Sequence, residues 1–167
     1  MNTDRRTSVA FTGHRTKRII EIANNPRIIG ELYETILNEV IGLYEQGYRN
    51  FYSGMAEGTD LLAAKAVASL KSQYADIRLI AVIPFRGQNA RFEGTDKELY
   101  TQVLQQADET VLLAENYYTG CFHRRNDYLI ENANVVVAYW DRIPKGGTYY
   151  TVSKARRMNR TIINLYK

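Results

Sequence analysis

Six short runs rich in β-branched and aromatic residues recur along the chain: SVAFTG (8–13), RNFYSG (49–54), IRLIAVIP (77–84), ETVLLA (109–114), VVVAYW (135–140) and TIINLY (161–166). Several are apolar at consecutive rather than alternate positions, as a strand buried on both faces requires. The intervals carry amphipathic stretches. Tyr33, Ile36, Leu37, Val40, Ile41 and Tyr44 recur at helical spacing, and Gly47 follows where a helix C-cap belongs. LLAAKAVASLKSQY, DKELYTQVLQQA, HRRNDYLIENA and TYYTVSKARRM are each long enough for one crossover helix, whereas 14–29 and 85–94 read as irregular. Apolar strands separated by single helices predict a parallel sheet covered on both sides, with right-handed crossovers. The expected fold is α/β: a Rossmann-like three-layer sandwich with a mostly parallel six-stranded sheet and helices on both faces, in one domain over 1–167.

In such a sheet ligands bind outside the carboxyl ends of the strands, and the glycines gather there. The first strand ends in Thr12-Gly13-His14-Arg15. The second ends in Ser53-Gly54-Met55-Ala56-Glu57-Gly58-Thr59-Asp60, and the fifth runs into Pro144-Lys145-Gly146-Gly147-Thr148. Five of the eleven glycines lie in these three loops, while connections at the other end, such as SQYADI and RMNRT, have none. Two adjacent glycines where a helix begins lower helix propensity and raise the entropic cost of ordering the backbone. A tight turn is one explanation. The other is a phosphate lying against bare backbone N–H groups, and the one-sided glycine distribution favours it.

The single cysteine, Cys121, excludes an internal disulfide and a multi-cysteine zinc site, which suits a reducing cytoplasm. No run is long enough for a membrane span, and after the paired arginines near the start only Val9, Ala10 and Phe11 precede renewed polarity, so no secretory h-region is expected. The formal charge of +4 is unevenly placed: residues 142–167 hold seven Lys or Arg and no acid, leaving 15 of the 22 basic residues against all 18 acidic ones. Complementing a helix C-terminus accounts for part of this; for a nucleic-acid partner it is weak support. Two histidines and one cysteine in separate segments show no metal-ligand spacing, and neither a metal nor a cofactor is expected.

Within the glycine loops, Arg15 is the strongest anion ligand, because its planar fork suits a phosphate and Gly13 opens the backbone beside it. His14 reads either as a structural hydrogen-bonder or as a donor to the ligand. Thr59 and Asp60 suit a helix N-terminus, and Asp60 alternatively accepts from ribose hydroxyls. Thr12, Ser53, Gly54, Gly58, Gly146, Gly147 and Thr148 complete the candidate ligand-binding set in these loops, and Glu57 and Asp60 are the weak candidates for a catalytic carboxylate. His123, Arg124, Arg125, Asn126 and Asp127 open another helix; cations there oppose the dipole, which a bound anion would explain. Tyr117 with Tyr118, and Tyr149 with Tyr150, offer aromatic faces for a base, for core packing or for contacts in a homo-oligomer.

Four blocks, SGMAEGTDLLAA, IRLIAVIPF, HRRNDYLIENANVVVAYWD and GGTYYTVSKA, taken in order across nearly the whole chain, resemble the YpsA-like family of the SLOG superfamily. That superfamily groups the DNA-processing protein DprA (Smf) with the cytokinin-activating LOG phosphoribohydrolases. The resemblance implies a Rossmann-like fold and a site for a nucleotide or an ADP-ribose-like small molecule. It implies no settled reaction. The family's glycine blocks carry over to Gly13, Gly54, Gly58, Gly146, Gly147 and Thr148, and its Arg-Asn pair to Arg125 and Asn126. Two departures stand out. Glu57 takes a place that is apolar in many relatives. The LOG block PGGxGTxxE shrinks to PKGGT, with Thr151 three residues after Thr148, and threonine cannot do a carboxylate's acid/base work. The expected function is nucleotide binding by a cytoplasmic sensor or regulator, with nucleotide N-glycosidase and DprA-like single-stranded DNA binding as alternatives.

Overall fold

The computed structural model describes residues 3–167. Among them, six strands alternate with six α-helices in the order β1 (Ser8–Gly13), α1 (Thr16–Ala23), α2 (Ile28–Glu45), β2 (Asn50–Ser53), α3 (Thr59–Ser69), β3 (Arg78–Ile83), α4 (Gly94–Gln106), β4 (Glu109–Leu112), α5 (Cys121–Glu131), β5 (Val135–Tyr139), α6 (Gly147–Arg157) and β6 (Thr161–Asn164). All strand pairs are parallel, in the spatial order β4-β3-β2-β1-β5-β6. The α/β Rossmann-like layout expected from the apolar runs is thus present, and its sheet is parallel throughout.

Strand side chains divide cleanly between the two faces. Val9, Phe11, Phe51, Leu79, Ala81, Ile83, Val135 and Val137 share one buried cluster with Ile19 of α1, Ile36 and Val40 of α2, Leu61 and Val67 of α3, and Val103 of α4. Their sequence neighbours point the other way: Ala10, Tyr52, Ile80 and Val82 pack with Leu129 of α5, and Val136 and Ala138 with Ala155 and Val152 of α6. Helices α1 to α4 therefore cover one face and α5 and α6 the other. This follows from right-handed crossovers: the chain steps outward from β1 to β4, returns to the far side of β1 as β5, and continues outward to β6. The winding reverses between β1 and β5, which pair from Val9↔Val135 to Gly13↔Tyr139. That reversal opens a crevice at their carboxyl ends.

One stretch read as irregular is helical. Residues 16–23 form α1, whose Ile19 is fully buried while Ile20 is exposed, and which stops at Asn24 in the left-handed conformation (φ 49°). Eight residues with one core contact give too little periodicity to announce a helix. Helix α2 also starts earlier than its aromatic repeat suggests, at Ile28.

Phe51 has no exposed surface and stacks on Phe11 at 6.2 Å between ring centroids. Phe51→Ala is expected to lower unfolding free energy by roughly 3–5 kcal/mol in chemical denaturation, the usual cost of an aromatic-sized cavity.

Candidate functional site

Four helices begin around the crevice, a cleft of about 480 Å³. They follow Arg15 (α1), Gly58 (α3), Gly120 (α5) and Gly146 (α6), and none of these N-cap residues accepts a side-chain hydrogen bond from its helix. Residues from all four first turns line the cleft: Arg15 and Arg18, Asp60, Phe122 and His123, and Gly147 and Thr148. Uncapped N–H groups and four positive dipole ends facing one space favour an anion there.

The glycines do two different jobs. A Cβ on Gly13 would lie 2.4–2.6 Å from the side-chain atoms of Thr59. Thr59 in turn donates from its N–H (3.2 Å) and its Oγ1 (2.9 Å) to the carbonyl of His14. Gly58, at φ +90°, presses its α-carbon against the Arg15–Thr16 backbone, where a Cβ would come within 2.6–2.7 Å. Gly54 leaves room for Arg125, whose Cδ a Cβ would meet at 2.6 Å. Gly146 and Gly147, by contrast, have open space where a Cβ would go. Gly146 needs its freedom for conformation, at φ 92° and ψ 179°, but Gly147 does not adopt positive φ. Neither backbone geometry nor protein packing requires glycine at 147.

Arg125 is the buried cation of the site. It is 5 % exposed, donates from Nε to Asn126 Oδ1 (3.1 Å) and from Nη1 to the carbonyl of Gly54 (3.1 Å), and still lines the cleft. Burial pushes its pKa down, against the nearby Asp60 carboxylate; a guanidinium nonetheless remains cationic at neutral pH. Burial likewise raises Asp60, in part offset by Arg125, the Ala56 N–H and Arg15, and its carboxyl titrates at about 6. A second acid, Asp141, ties β5 to α1: Arg18 Nη2 lies 2.6 Å from its Oδ2, and His14 Nε2 lies 3.1 Å from both its Oδ1 and its N–H. Burial alone would raise Asp141, but the Ile143 N–H, Arg18 and His14 hold it below its ordinary value.

Arg15 and Phe122 also border an adjoining cleft of about 640 Å³. Phe85, Tyr117 and Phe122 form an aromatic cluster there, with centroids 5.5–6.3 Å apart, and Phe92, Gln88, Arg91 and Glu57 complete most of the wall. The guanidinium carbons of Arg15 and Arg125 each lie 5.4 Å from the Phe122 ring centroid. Rings and cations thus meet where the two clefts join.

A family model for YpsA, described as the YspA SLOG family, matches residues 9–165. The chain belongs to this SLOG family. It is 28% identical over 155 residues to a UPF0398 protein of Bacillus velezensis, covering 92% of this chain and 85% of that one. It is 23% identical to the UPF0398 protein YpsA of Bacillus subtilis, covering 89% and 84%. Two solved structures share the fold at 18% identity. DNA processing protein A (DprA) from Streptococcus pneumoniae matches with a TM-score of 0.59 over 94% of this chain and 49% of that chain; TM1055 matches with a TM-score of 0.56 over 93% and 72%.

In this SLOG chain Thr12, Gly13, His14, Arg15, Asp60, Arg125, Asn126, Gly147 and Thr148 line the first cleft. Glu57 lines the second. Ser53 is fully buried behind them, its hydroxyl donating to the Asp60 carbonyl (2.9 Å) and accepting from the Met55 N–H (3.1 Å), so it shapes the loop. Gly54 and Gly58 serve packing, and Gly146 stands just before the cleft wall. Tyr149 stacks on Trp140, and Tyr150 stacks on His123 and donates to Asp127; neither lines either of these two clefts. Thr151, where the LOG pattern has its glutamate, donates to the carbonyl of Gly147 (2.9 Å). In the basic C-terminal segment Arg142, Arg156 and Arg160 line a separate cleft with Trp140; Arg160 donates from Nε and Nη1 to the carbonyls of Ile130 and Met158, and its buried Nη2 has no partner among the described residues. Among the described residues no group of three His, Cys, Asp or Glu is arranged to hold a metal, and no helix is long and apolar enough to cross a membrane. Arg18, Phe85 and Phe122 were not among the sequence candidates. Arg18 stands one helical turn after Arg15, a signal that required α1 to be recognised.

Two outcomes test this geometry. Gly13→Ala is expected to destabilise by roughly 1–3 kcal/mol through overpacking on Thr59, whereas Gly147→Ala should be neutral or up to about 1 kcal/mol stabilising, both read by urea denaturation. For Asp60 the raised pKa fixes the sign of the pH effect. The carboxyl is neutral in both states below about pH 4; the unfolded chain then ionises first, so stability is lost as pH rises to about 6, by an amount on the order of 3 kcal/mol. Asp60→Asn should gain on the parent protein across that window, measured as unfolding free energy against pH.

Proposed function

We propose that this SLOG chain binds a nucleotide or a nucleotide derivative such as an ADP-ribose-like molecule, acting as a sensor or regulator. One observation carries the reading: the uncapped start of α6, opened by a Gly147 that neither conformation nor packing requires, faces the buried Arg125 across the cleft at the sheet's winding reversal. A phosphate on those N–H groups supplies the missing reason for Gly147. The adjoining aromatic cleft supports a nucleotide over a bare phosphate, because Phe85, Tyr117 and Phe122 line it as an aromatic cluster that a base can pack against, with Arg15 and Arg125 each 5.4 Å from the Phe122 ring centroid. The fold likeness to DprA is consistent with a nucleotide-related ligand, while Arg142 and Arg160 in the basic cleft at Trp140 already donate to the backbone carbonyls of Tyr166, Ile130 and Met158.

A second reading rests on Asp60. A buried carboxyl that titrates at about 6 and lines the anion cleft is suited to donate a proton near neutral pH, as cleavage of an N-glycosidic bond requires. Chromatography of AMP or ADP incubated with the protein distinguishes the readings: release of free base that vanishes in Asp60→Asn supports hydrolysis, and intact nucleotide supports binding alone.

The binding reading makes its own demand on two variants. Gly147→Ala should fold as the parent by circular dichroism yet bind ADP at least tenfold more weakly, and Arg15→Ala should lose about 1.5–3 kcal/mol of binding free energy. Isothermal titration giving parental affinity for a folded Gly147→Ala protein would remove the phosphate from the start of α6.

A further inference from the structure

Glu57 has no place in a site built only for anions. Its side chain is 30% exposed, lines the aromatic cleft, and accepts no hydrogen bond among the described residues. Among the described residues its only ion-pair partner is Arg15, at 3.9 Å, beyond hydrogen-bond reach. Asp60, the acid lining the first cleft, is by contrast buried and holds the Ala56 N–H. A negative charge 3.9 Å from Arg15, just before the positive end of α3, weakens phosphate binding unless it faces donors on another part of the ligand.

We infer that Glu57 accepts hydrogen bonds from the ribose hydroxyls of the bound nucleotide and so selects ribonucleotides over deoxyribonucleotides. This rests on the nucleotide reading above. A nucleotide runs phosphate, sugar, base. With phosphate at Gly147 and Arg125 and the base among Phe85, Tyr117 and Phe122, the sugar crosses the border that Arg15 and Phe122 share, and Glu57 stands beside Arg15 on that border. The two carboxylate oxygens match the two adjacent O–H donors of a ribose, and no phosphate oxygen tolerates that position. Asp60, which the sequence also offered for this contact, lies in the anion cleft instead. Unused carboxylate acceptors in a ligand cleft discriminate strongly, because a ligand lacking the donors desolvates the charge without replacing its hydrogen bonds.

Calorimetric titration of ADP, 2′,3′-dideoxy-ADP, GDP and pyrophosphate against the parent protein and Glu57→Ala tests this. The parent should bind ADP about tenfold or more tightly than the dideoxy analogue. Glu57→Ala should abolish that difference and bind pyrophosphate as well as the parent or better. Equal affinity of the parent for ADP and its dideoxy analogue overturns the inference while leaving the nucleotide reading intact. So does a preference that persists in Glu57→Ala, or one that follows the base, with Glu57→Ala altering only the ADP to GDP ratio. Binding of pyrophosphate without any nucleotide, or of nothing, removes the nucleotide reading and this inference with it.

Discussion

The loop after β1 and the start of α3 meet backbone to backbone, and the rest of the cleft depends on that contact. Gly13 lies on Thr59, Gly58 lies on Arg15 and Thr16, and Thr59 closes the junction with two hydrogen bonds to the carbonyl of His14. Because β1 is the innermost strand of the winding, this junction fixes where α1 begins, and with it the positions of Arg15 and Arg18. It also holds α3 so that Asp60 looks into the crevice. A parallel sheet brings helix starts to one end by topology alone; the glycine contact draws two of them close enough to act on one ligand.

The same closeness sets the electrostatics. Arg125 reaches from α5 across to the carbonyl of Gly54 just past the end of β2, so one guanidinium joins a helix on one side of the sheet to the loop that leads into α3 on the other. Gln88 Nε2 lies 3.4 Å from that same carbonyl, which connects the loop carrying Phe85 to it. Burial makes the charges expensive, and the arrangement shares the expense by placing Asp60 near Arg125 and Asp141 between Arg18 and His14. A buried guanidinium already held by protein acceptors, as Arg125 is, binds an anion with little reorganisation.

Much of this was legible in the chain before its structure. Runs such as VVVAYW and IRLIAVIP announce buried parallel strands because both faces must be apolar, and glycines at strand ends announce close approach. Short-range pattern fails where its physical cause is long-range. Helix α1 is held by one buried isoleucine, too little for periodicity. Phe85 follows β3 whereas Tyr117 and Phe122 follow β4, and only the pairing of β3 with β4 makes them neighbours. For Tyr149 and Tyr150 the sequence left a base, core packing and oligomer contacts open, because proximity to a glycine loop does not say which way a helix turns its side chains; α6 turns them toward Trp140 and His123.

The adjacent pair Gly146 and Gly147 carries a consequence for the chain's inheritance. The first is held by a dihedral angle that no other residue adopts comfortably, and the second by nothing within the protein itself. Under drift without a ligand, 146 would stay glycine for as long as the loop kept its course, while 147 would be free to become alanine or serine. Among descendants of this sequence, the two neighbouring positions therefore record separate histories: one of the backbone, the other of whatever the cleft has been selected to hold.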